Sequence, residues 1–304
     1  MDQILLIIDF LYVAYRAFYS SETKTGPVSA RFPNGEPLSV THNLINITHT
    51  LIAQTKATNV VFAFDAEGQN FRQEIYPAYK AGRPGRPAEL DAQLSRARET
   101  IEMLGYEIFE VPTFEADDVI ATLVHQAEIA RNGLEPAFGY IYVATGDHDL
   151  LTLASKKTAV LDLSRNLHVP PRMTPAAIYE RYKLDPNQWG DFKTLTGDSS
   201  DNISGIPGLT KKDATYLLQK YQNVTGIYKH LAEIESPALR ELLETGRPAV
   251  SLARRLINMN NNTPLTLHSD SGLLGYLSRD SMVNYLSKLG LVDLVKTLPK
   301  ARRK

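Results

Sequence analysis

Two hydrophobic patterns alternate along the first half of the chain. Short, continuous apolar runs predict strands that are buried on both faces, as in parallel sheets. Between these runs, apolar residues recur three and four positions apart at 39–55 and roughly 116–130, which predicts amphipathic helices. The predicted strands are ILLII (4–8), VVFAF (60–64), YEIFEV (106–111) and FGYIYVA (138–144). This alternation predicts an α/β fold with a parallel sheet and crossover helices.

The second half of the chain follows a different pattern. After about residue 170, strand-like runs become rare and helical periodicity predominates. The predicted helices are TPAAIYERY, NQWGDFKTLTG, KKDATYLLQKY, SPALRELLET and AVSLARRLINM, followed by a helix pair near 279–298. We therefore expect an α/β core over 1–180, a helical region over 181–298 and a basic tail over 299–304.

One segment interrupts the alternation in the first half. Residues 77–87 (PAYKAGRPGRP) are rich in Gly, Pro and positive charge, and they precede a helix that carries Arg96 and Arg98. Gly and Pro disfavour regular structure, so this segment is predicted to be a mobile, basic connection on the surface.

The amino-acid composition limits the kinds of metal site and nucleophile that this chain can have. The 304 residues include no cysteine, which excludes disulfide frameworks, thiolate zinc sites and cysteine nucleophiles. A metal would have to bind through Asp, Glu, His or main-chain oxygen, and oxygen ligands favour Mg²⁺ or Mn²⁺. The apolar run at 4–8 is too short for a signal peptide or a membrane span. We therefore expect a cytoplasmic protein that does not contact membranes.

The net charge of −1 does not by itself indicate nucleic-acid binding. If many of the acids gather in one metal site, the rest of the surface becomes basic and suits a polyanion. An ordinary near-neutral surface explains the total equally well, so charge leaves both possibilities open.

Carboxylates follow the predicted strands at the ends that share one edge of a parallel sheet. Asp9 ends the first strand and Asp65 ends the second. Asp147 and Asp149 follow the fourth strand in TGDHD. Open α/β folds bind their ligands at this edge of the sheet. The sequence therefore places four acids where a ligand site is expected.

The third predicted strand leads to three more acids, Glu115, Asp117 and Asp118, at the start of a helix. Acids also favour helix N-termini, so capping is the alternative role for each of them. Seven acids at one sheet edge would repel one another strongly without cations. A cluster of oxygen ligands suits two Mg²⁺ ions that promote phosphoryl transfer.

The stretch TLTGDSSDNISGIPGLTKKDA (194–214) is the most specific in the chain. Asp198 and Asp201 follow one predicted helix, and a loop rich in glycine leads to the next. Glycines permit a tight turn, and N–H groups at a helix start can bind a phosphate. The alternative is an ordinary connection between two helices. The residues predicted to contact DNA here are Gly205, Gly208, Lys211 and Lys212.

Together these motifs resemble the 5′-nuclease family, which includes the exonuclease domain of bacterial DNA polymerase I and stand-alone phage and bacterial flap endonucleases. The motifs IIDF, FAFD, YPAYKAGR, FEADD, TGDHDL and TGDSSDN occur in the family's order, from Asp9 to about Leu298. The resemblance implies a PIN-like parallel-sheet nuclease core with a helical arch at about 72–100. It also implies a helix–three-turn–helix DNA-binding motif at about 187–222, within the helical region.

The resemblance further implies roles for individual residues. Lys80 and Arg83 match basic residues at the base of the family's arch, beside the scissile phosphate, and Arg16 matches a basic residue near the site. These three are predicted to be catalytic, and the neighbouring Tyr79 is predicted to contact DNA. The implied metal ligands are Asp9, Asp65, Glu115, Asp117, Asp118, Asp147, Asp149, Asp198 and Asp201.

The implied activity is 5′→3′ exonuclease and 5′-flap endonuclease cleavage of DNA by a monomer with two Mg²⁺ or Mn²⁺ ions. In this family the loop of the helix–three-turn–helix motif often holds K⁺ through main-chain carbonyls. Here Gly208-Leu209-Thr210 replaces the family's usual Gly-Ile-Gly, so K⁺ binding stays an open expectation. Two other interpretations remain, a non-catalytic binder of branched DNA and a ribonuclease with a related core.

Overall fold

The computed structural model describes residues 3–25, 35, 37–129, 138–274 and 278–299. Within them, the main sheet has the strand order β3-β2-β1-β4-β5-β6. The first five strands in this order pair in parallel, and β6 runs antiparallel to β5. The strands are β1 (Gln3–Asp9), β2 (Asn59–Phe64), β3 (Glu107–Glu110), β4 (Phe138–Thr145), β5 (Thr158–Asp162) and β6 (Arg172–Met173).

Strand β1 shows why the apolar runs form a sheet with two covered faces. Leu6 and Ile8 point into one hydrophobic core, whereas Leu5 and Ile7 point into another, because successive side chains of a strand alternate between faces. All four side chains have no exposed surface. The parallel register sets Asp9 opposite Ala63 of β2, so the strands end together at one edge.

The first half of the chain contributes five helices, which divide between the two faces of the sheet. They are α1 (Phe10–Thr25), α2 (Ser39–Thr55), α3 (Phe71–Ile75), α4 (Ala88–Met103) and α5 (Ala116–Glu128). Residues of α1, α2 and α4 line the core that contains Leu6 and Ile8. Residues of α5 line the opposite core, which contains Leu5 and Ile7. The start of α5 lies at the strand edge that carries the acids.

The helical half shares the second core with α5 and the sheet. Side chains such as Trp189, Leu195 and Leu217 belong to the same cluster as Ile7 of β1. Its helices are α6 (Pro175–Tyr182), α7 (Trp189–Thr196), α8 (Lys211–Tyr221), α9 (Val224–Lys229), α10 (Pro237–Thr245) and α11 (Arg247–Ile257). Between α7 and α8, β7 (Gly197–Asp198) pairs antiparallel with β8 (Ile203–Ser204).

The last two helices return to the first half of the chain. They are α12 (Arg279–Lys288) and α13 (Val292–Val295). Met282, Leu286 and Leu294 pack in the core formed by α1, α2 and α4. The helical stretch predicted over 181–298 therefore contacts both faces of the sheet. The basic tail at 299–304 lies outside the described residues except for Pro299.

Most predicted elements match the structure, and two regions differ. The sequence analysis missed β5, whose five-residue run directly follows a turn. Residues 77–83 form turns, as predicted for a segment that Pro and Gly interrupt, and α3 and α4 flank these turns within the segment predicted as the arch. The helix that follows, α4, packs into the core through Leu90, Leu94 and Ile101. The predicted exposure applies to residues 81–86, whereas Tyr79 is buried.

No helix within the described ranges is both long enough and apolar enough to cross a membrane.

Candidate metal centre

Asp9 is held rigidly at the end of β1. Its Oδ1 accepts a hydrogen bond from the Tyr12 N–H at 3.1 Å, and its Oδ2 accepts one from the Thr145 hydroxyl at 2.7 Å. Burial, together with the nearby carboxylates of Asp65 and Asp147, raises the pKa of Asp9 to about 7. A carboxyl group in this position ionises readily once a cation is close.

The start of α5 brings a second set of acids to the same edge. The Ala116 N–H donates to Asp65 Oδ1 at 3.0 Å and so ties the end of β2 to this helix. Burial raises the pKa of Asp117 well above its usual value, and repulsion from Asp147 and Asp9 raises it further. Acids from β1, β4 and α5 therefore face one another across the edge, as the sequence predicts.

A third set joins the two halves of the chain. Asp149, Asp198 and Asp201 each offer a carboxylate oxygen, and these oxygens lie within 4.8 Å of one another. Burial and the neighbouring Asp147 raise the pKa of Asp149 to about 6. The short β7–β8 pairing holds Asp198, so the helical half completes a cluster that begins at the sheet edge.

Basic side chains lie among these acids. Lys80 Nζ is 2.5 Å from Glu115 Oε1 and 3.9 Å from Asp201 Oδ2, and Arg83 pairs with Asp201. Lys193 Nζ lies 2.6 Å from Asp149 Oδ1 and 2.5 Å from Asp198 Oδ2. Protein cations thus neutralise part of the cluster, in positions where bound metal ions would compete with them.

Lys193 is a residue that the sequence analysis missed. It lies on α7, five positions before Asp198, where a lysine on an amphipathic helix is expected to face solvent. Only the packing of α7 against the turn after β4 brings Asp149 to it. Both carboxylates raise the pKa of Lys193, although burial opposes the rise. The signal in the sequence was the lysine's proximity to TGDSSD.

Tyr79 is 3% exposed, so it does not lie on a surface open to DNA in this arrangement. Its hydroxyl is 3.0 Å from Glu115 Oε2 and 3.1 Å from Asp201 Oδ2. Burial and the two carboxylates raise its pKa, so the phenol stays protonated. It therefore connects an acid of α5 with an acid of the helical half, a position at odds with the predicted contact with DNA.

Asp118 differs from the other predicted metal ligands in its burial and in its hydrogen-bond partners. It has no exposed surface, and Arg72 donates to both of its oxygens at 2.6 and 2.8 Å. The Asn260 N–H donates to Asp118 Oδ1 at 2.7 Å as well. Because these donors already engage both oxygens, the structure does not present Asp118 to the cluster as a free ligand.

Arg72 links this pair to the cluster. Besides Asp118, it donates to Glu115 Oε2 at 3.1 Å and to the main-chain oxygen of Leu256 at 2.7 Å. Arg72 is 2% exposed, which is rare for an arginine unless it is fully paired. Arg72 thus holds α3, the start of α5 and the end of α11 together behind Glu115.

Arg16 lies on α1, one turn beyond Tyr12. Its Nε is buried and has no hydrogen-bond partner among the described residues. Burial raises the pKa of Tyr12, and the charge of Arg16 opposes that rise, which shows that the two side chains are close. Since the Tyr12 N–H also donates to Asp9, Arg16 lies beside the cluster, and it forms no ion pair with the residues that the structure describes.

The clamp loop, defined as residues 205–210, joins β8 to α8. A Cβ on Gly205 would lie 2.4 Å from the Gly197 nitrogen, so the close approach of the two backbones requires glycine. Gly208 has a φ of +85°, which also favours glycine. Thr210 caps α8 by accepting the Asp213 N–H at 3.1 Å. Lys211 and Lys212 follow at the exposed start of the helix.

The residues at the sheet edge fit divalent cations with a preference for oxygen ligands. The candidate ligands are all carboxylates, and burial and repulsion raise the pKa of several of them. Raised pKa values indicate a deficit of positive charge, which a divalent cation can supply. The residues that could hold cations form two adjoining groups, Asp9, Asp65, Glu115, Asp117 and Asp147 in one, and Asp149, Asp198 and Asp201 in the other.

Comparison with known proteins identifies the family. Residues 4–183 match the N-terminal resolvase-like domain of 5′–3′ exonucleases, and residues 184–278 match their C-terminal SAM fold. The chain belongs to the 5′–3′ exonuclease family. This confirms the family and the fold class expected from the sequence motifs.

Curated relatives include thermostable DNA polymerase I from Thermus thermophilus, which is 34% identical over 97% of this chain. DNA polymerase I from Mycobacterium leprae is 34% identical over 91% of this chain. The matched regions cover 34% and 29% of those proteins, so the chain spans about a third of their length.

Solved structures share the fold at lower identity. A bacteriophage T5 flap endonuclease, in complex with DNA and metal ions, superposes with a TM-score of 0.67 and 17% identity. The match covers 97% of this chain and 100% of that one. Human GEN1 in complex with Holliday junction DNA gives a TM-score of 0.57 at 15% identity, covering 97% and 71%.

A first prediction links pH to metal binding. The pKa of Asp9 is about 7 in the folded protein against a usual 3.8, so the metal-free fold retains a proton that the unfolded chain has lost. Its contribution to stability is complete below the lower value and is lost as pH rises through the higher one. We expect Mg²⁺ to bind the ionised cluster, and therefore to raise the Tm more at about pH 8 than at about pH 5.5.

Thermal melts with Mg²⁺ and with EDTA at the two pH values measure this difference. Asp9→Asn should reduce it, because the variant has no proton to release at that position. An equal rise in Tm at both pH values would contradict the prediction.

A second prediction separates Asp118 from its neighbour. Asp118→Asn should lower the Tm in EDTA by several degrees, because a buried guanidinium loses a charged partner, at a cost of about 3 kcal/mol. The response of the Tm to Mg²⁺ should survive. Asp117→Asn should have the opposite effects. It should raise the Tm in EDTA, because it relieves repulsion from Asp9 and Asp147, and it should weaken the response of the Tm to Mg²⁺, because it removes a candidate ligand.

Melts of both variants, with and without Mg²⁺, provide the comparison. If Asp118→Asn melts like the parent in EDTA yet loses the response to Mg²⁺, Asp118 is a metal ligand and the role assigned to Arg72 is wrong.

Proposed function

We propose that this protein is a 5′→3′ exonuclease and 5′-flap endonuclease that hydrolyses DNA with two divalent ions, Mg²⁺ or Mn²⁺. The observation that carries this proposal is the convergence of acids from β1, β4, α5 and the β7–β8 turn beside an exposed basic loop. Asp149 and the pair Asp198 and Asp201 come from different halves of the chain, yet their oxygens lie within 4.8 Å. Family membership supports the same activity.

The chemistry at the sheet edge depends on charge. Divalent ions bound there would polarise the scissile phosphate and lower the pKa of an attacking water. The carboxylates of the two groups orient those ions, and Thr145 and the Tyr12 N–H fix the direction of Asp9. Oxygen-only ligands favour Mg²⁺ or Mn²⁺ over zinc.

In this proposal Lys80 and Arg83 bind the phosphate of the substrate as well as the carboxylates of the protein. In the metal-free arrangement they pair with Glu115 and Asp201. When divalent ions neutralise these acids, the ammonium and guanidinium groups become free to meet the phosphate. Cations aimed at the charge that develops on a phosphate stabilise the transition state more than the ground state. Arg16, which has no ion pair among the described residues, supplies a further cation beside Asp9.

The start of α8 is suited to hold the DNA backbone. The Thr210 hydroxyl accepts a hydrogen bond from the Asp213 N–H. The N–H groups of Lys211 and Lys212 then have no partners inside the helix. With their exposed ammonium groups, they form a phosphate site that is indifferent to base sequence. Main-chain carbonyls of the clamp loop are the place where K⁺ would bind.

The remaining elements of the proposal concern partners and location. DNA with a 5′ flap or a free 5′ end is the substrate, because both the clamp and the acids act on the backbone and not on bases. We expect the protein to act as a monomer and to work in the cytoplasm, on the DNA of the nucleoid.

The direct test is cleavage of a labelled 5′-flap DNA. We expect cleavage in Mg²⁺ and none in EDTA. Asp147→Asn should abolish cleavage but leave flap binding nearly intact, because Asp147 lies close to Asp117 of its own group and to Asp149 of the other, whereas the DNA is held by Lys and Arg. Asp270→Asn, at an exposed acid outside the cluster, controls for the change in charge.

The same assay distinguishes the alternative functions. Cleavage by Asp147→Asn at the parent rate would show that the metal-site assignment is wrong. Binding without cleavage by the parent protein would favour a non-catalytic binder. Preferential cleavage of an RNA flap would favour a ribonuclease.

A separate prediction concerns Lys80. Lys80→Ala should lower the single-turnover rate by roughly 10², with a smaller effect on the Kd for DNA. Lys80→Arg should restore part of the rate, because it keeps a cation near the phosphate. Lys156→Ala, at an exposed lysine before β5, is the matched control. A normal single-turnover rate with a raised Kd would mean that Lys80 only tethers the DNA.

A further inference from the structure

A groove of about 680 Å³ lies between α9 and α11, on the helical half of the protein. Its walls carry three arginines and no carboxylate among the residues that line it. The polar side chains on these walls belong to Thr225, Tyr228, Arg247, Ser251, Arg254, Arg255 and Asn258. We call this feature the α9–α11 groove. Neither the metal centre nor the clamp loop includes any of these residues.

The arginines lie in a row because of the period of α11. Val250, Ala253 and Leu256 form the buried side of this helix. Positions 247, 251, 254 and 255 fall within about 100° on the opposite side, over about 12 Å of helix. This length corresponds to about three to four base-pair steps of duplex DNA.

These arginines make few polar contacts with the residues that the structure describes. None of them forms an ion pair with the described residues, and all three are exposed. Arg254 makes a long hydrogen bond of 3.3 Å to Thr225 Oγ1. At the end of α11, the Leu256 oxygen accepts from Arg72 at 2.7 Å and the Arg254 oxygen accepts from the Asn258 N–H at 3.2 Å. These two carbonyls therefore do not depend on the side chains of Arg254 and Arg255 for their hydrogen bonds.

The groove suits a phosphate backbone better than a base. The guanidinium of Arg247 lies 4.3 Å from the centre of the Tyr228 ring and covers that face. The Tyr228 hydroxyl donates to the Leu243 oxygen at 3.0 Å. Stacking of a nucleobase needs an open aromatic face, which this ring does not offer. A row of exposed guanidinium groups instead matches successive phosphates.

The groove also begins next to the clamp loop. A Cβ on Gly246 would lie 2.7 Å from Ile206 Cγ1, so the backbone just before Arg247 touches the clamp loop. We infer that the α9–α11 groove is a second binding track for the phosphate backbone of duplex DNA, beyond the clamp loop. This inference rests on the proposed DNA-directed function, which it extends by a further surface.

Binding of duplex DNA over a series of salt concentrations, in EDTA to prevent cleavage, tests the inference. Arg254→Gln with Arg255→Gln removes two charges but keeps much of each side chain. Loss of two phosphate contacts should reduce the slope of log K against log salt by roughly 2. Arg254→Lys with Arg255→Lys should retain the slope, because lysine also neutralises a phosphate. Lys156→Gln with Lys288→Gln removes the same charge from exposed positions elsewhere and should leave the slope unchanged.

The measured salt slopes either support or overturn the inference. A slope equal to that of the parent in the glutamine variant, or an equal fall in the control, would overturn the inference. Thermal melts check folding, and Arg255→Gln alone, at a residue with no ion pair among those described, should still reduce the slope by about 1. Failure of the parent to bind DNA at any salt concentration would instead overturn the proposed function.

Discussion

Repulsion between carboxylates at one edge of the sheet is the constraint on which the rest of the structure depends. Asp9 and Asp117 lie close enough for each of them to be affected by Asp147. Such a cluster cannot ionise fully inside the protein unless positive charge is supplied. The chain supplies part of it through Lys80, Arg83 and Lys193. These three side chains therefore lie beside the carboxylates where, in the proposed function, a phosphate would react.

Behind the cluster, buried polar contacts keep the acids in position. Arg72 joins α3, α5 and the end of α11, and Tyr79 joins Glu115 to Asp201. A buried ion pair adds little stability compared with apolar packing, but breaking one is costly. Such pairs therefore specify one arrangement of the two halves, which the assembly of the site requires.

The surfaces proposed to contact DNA lie outside this edge, and they depend on different interactions. The clamp loop depends on backbone geometry, since Gly205 and Gly208 allow an approach that other residues would block. The α9–α11 groove depends on exposed guanidinium groups instead. Separating the acidic edge from these basic surfaces explains how a chain with a net charge of −1 can present surfaces suited to a polyanion.

The sequence by itself determined the class of fold and the positions of most acids. Apolar runs such as 4–8 and 60–64 can be buried only as strands covered on both faces, and acids that directly follow parallel strands must share an edge. The tertiary structure decided which acids remain free. Asp117 and Asp118 are adjacent in sequence and alike in chemistry, yet helical geometry turns one toward Asp9 and the other toward Arg72. Lys193 and Tyr79 likewise acquired their partners through contacts between distant segments, which a pattern of local spacing does not encode.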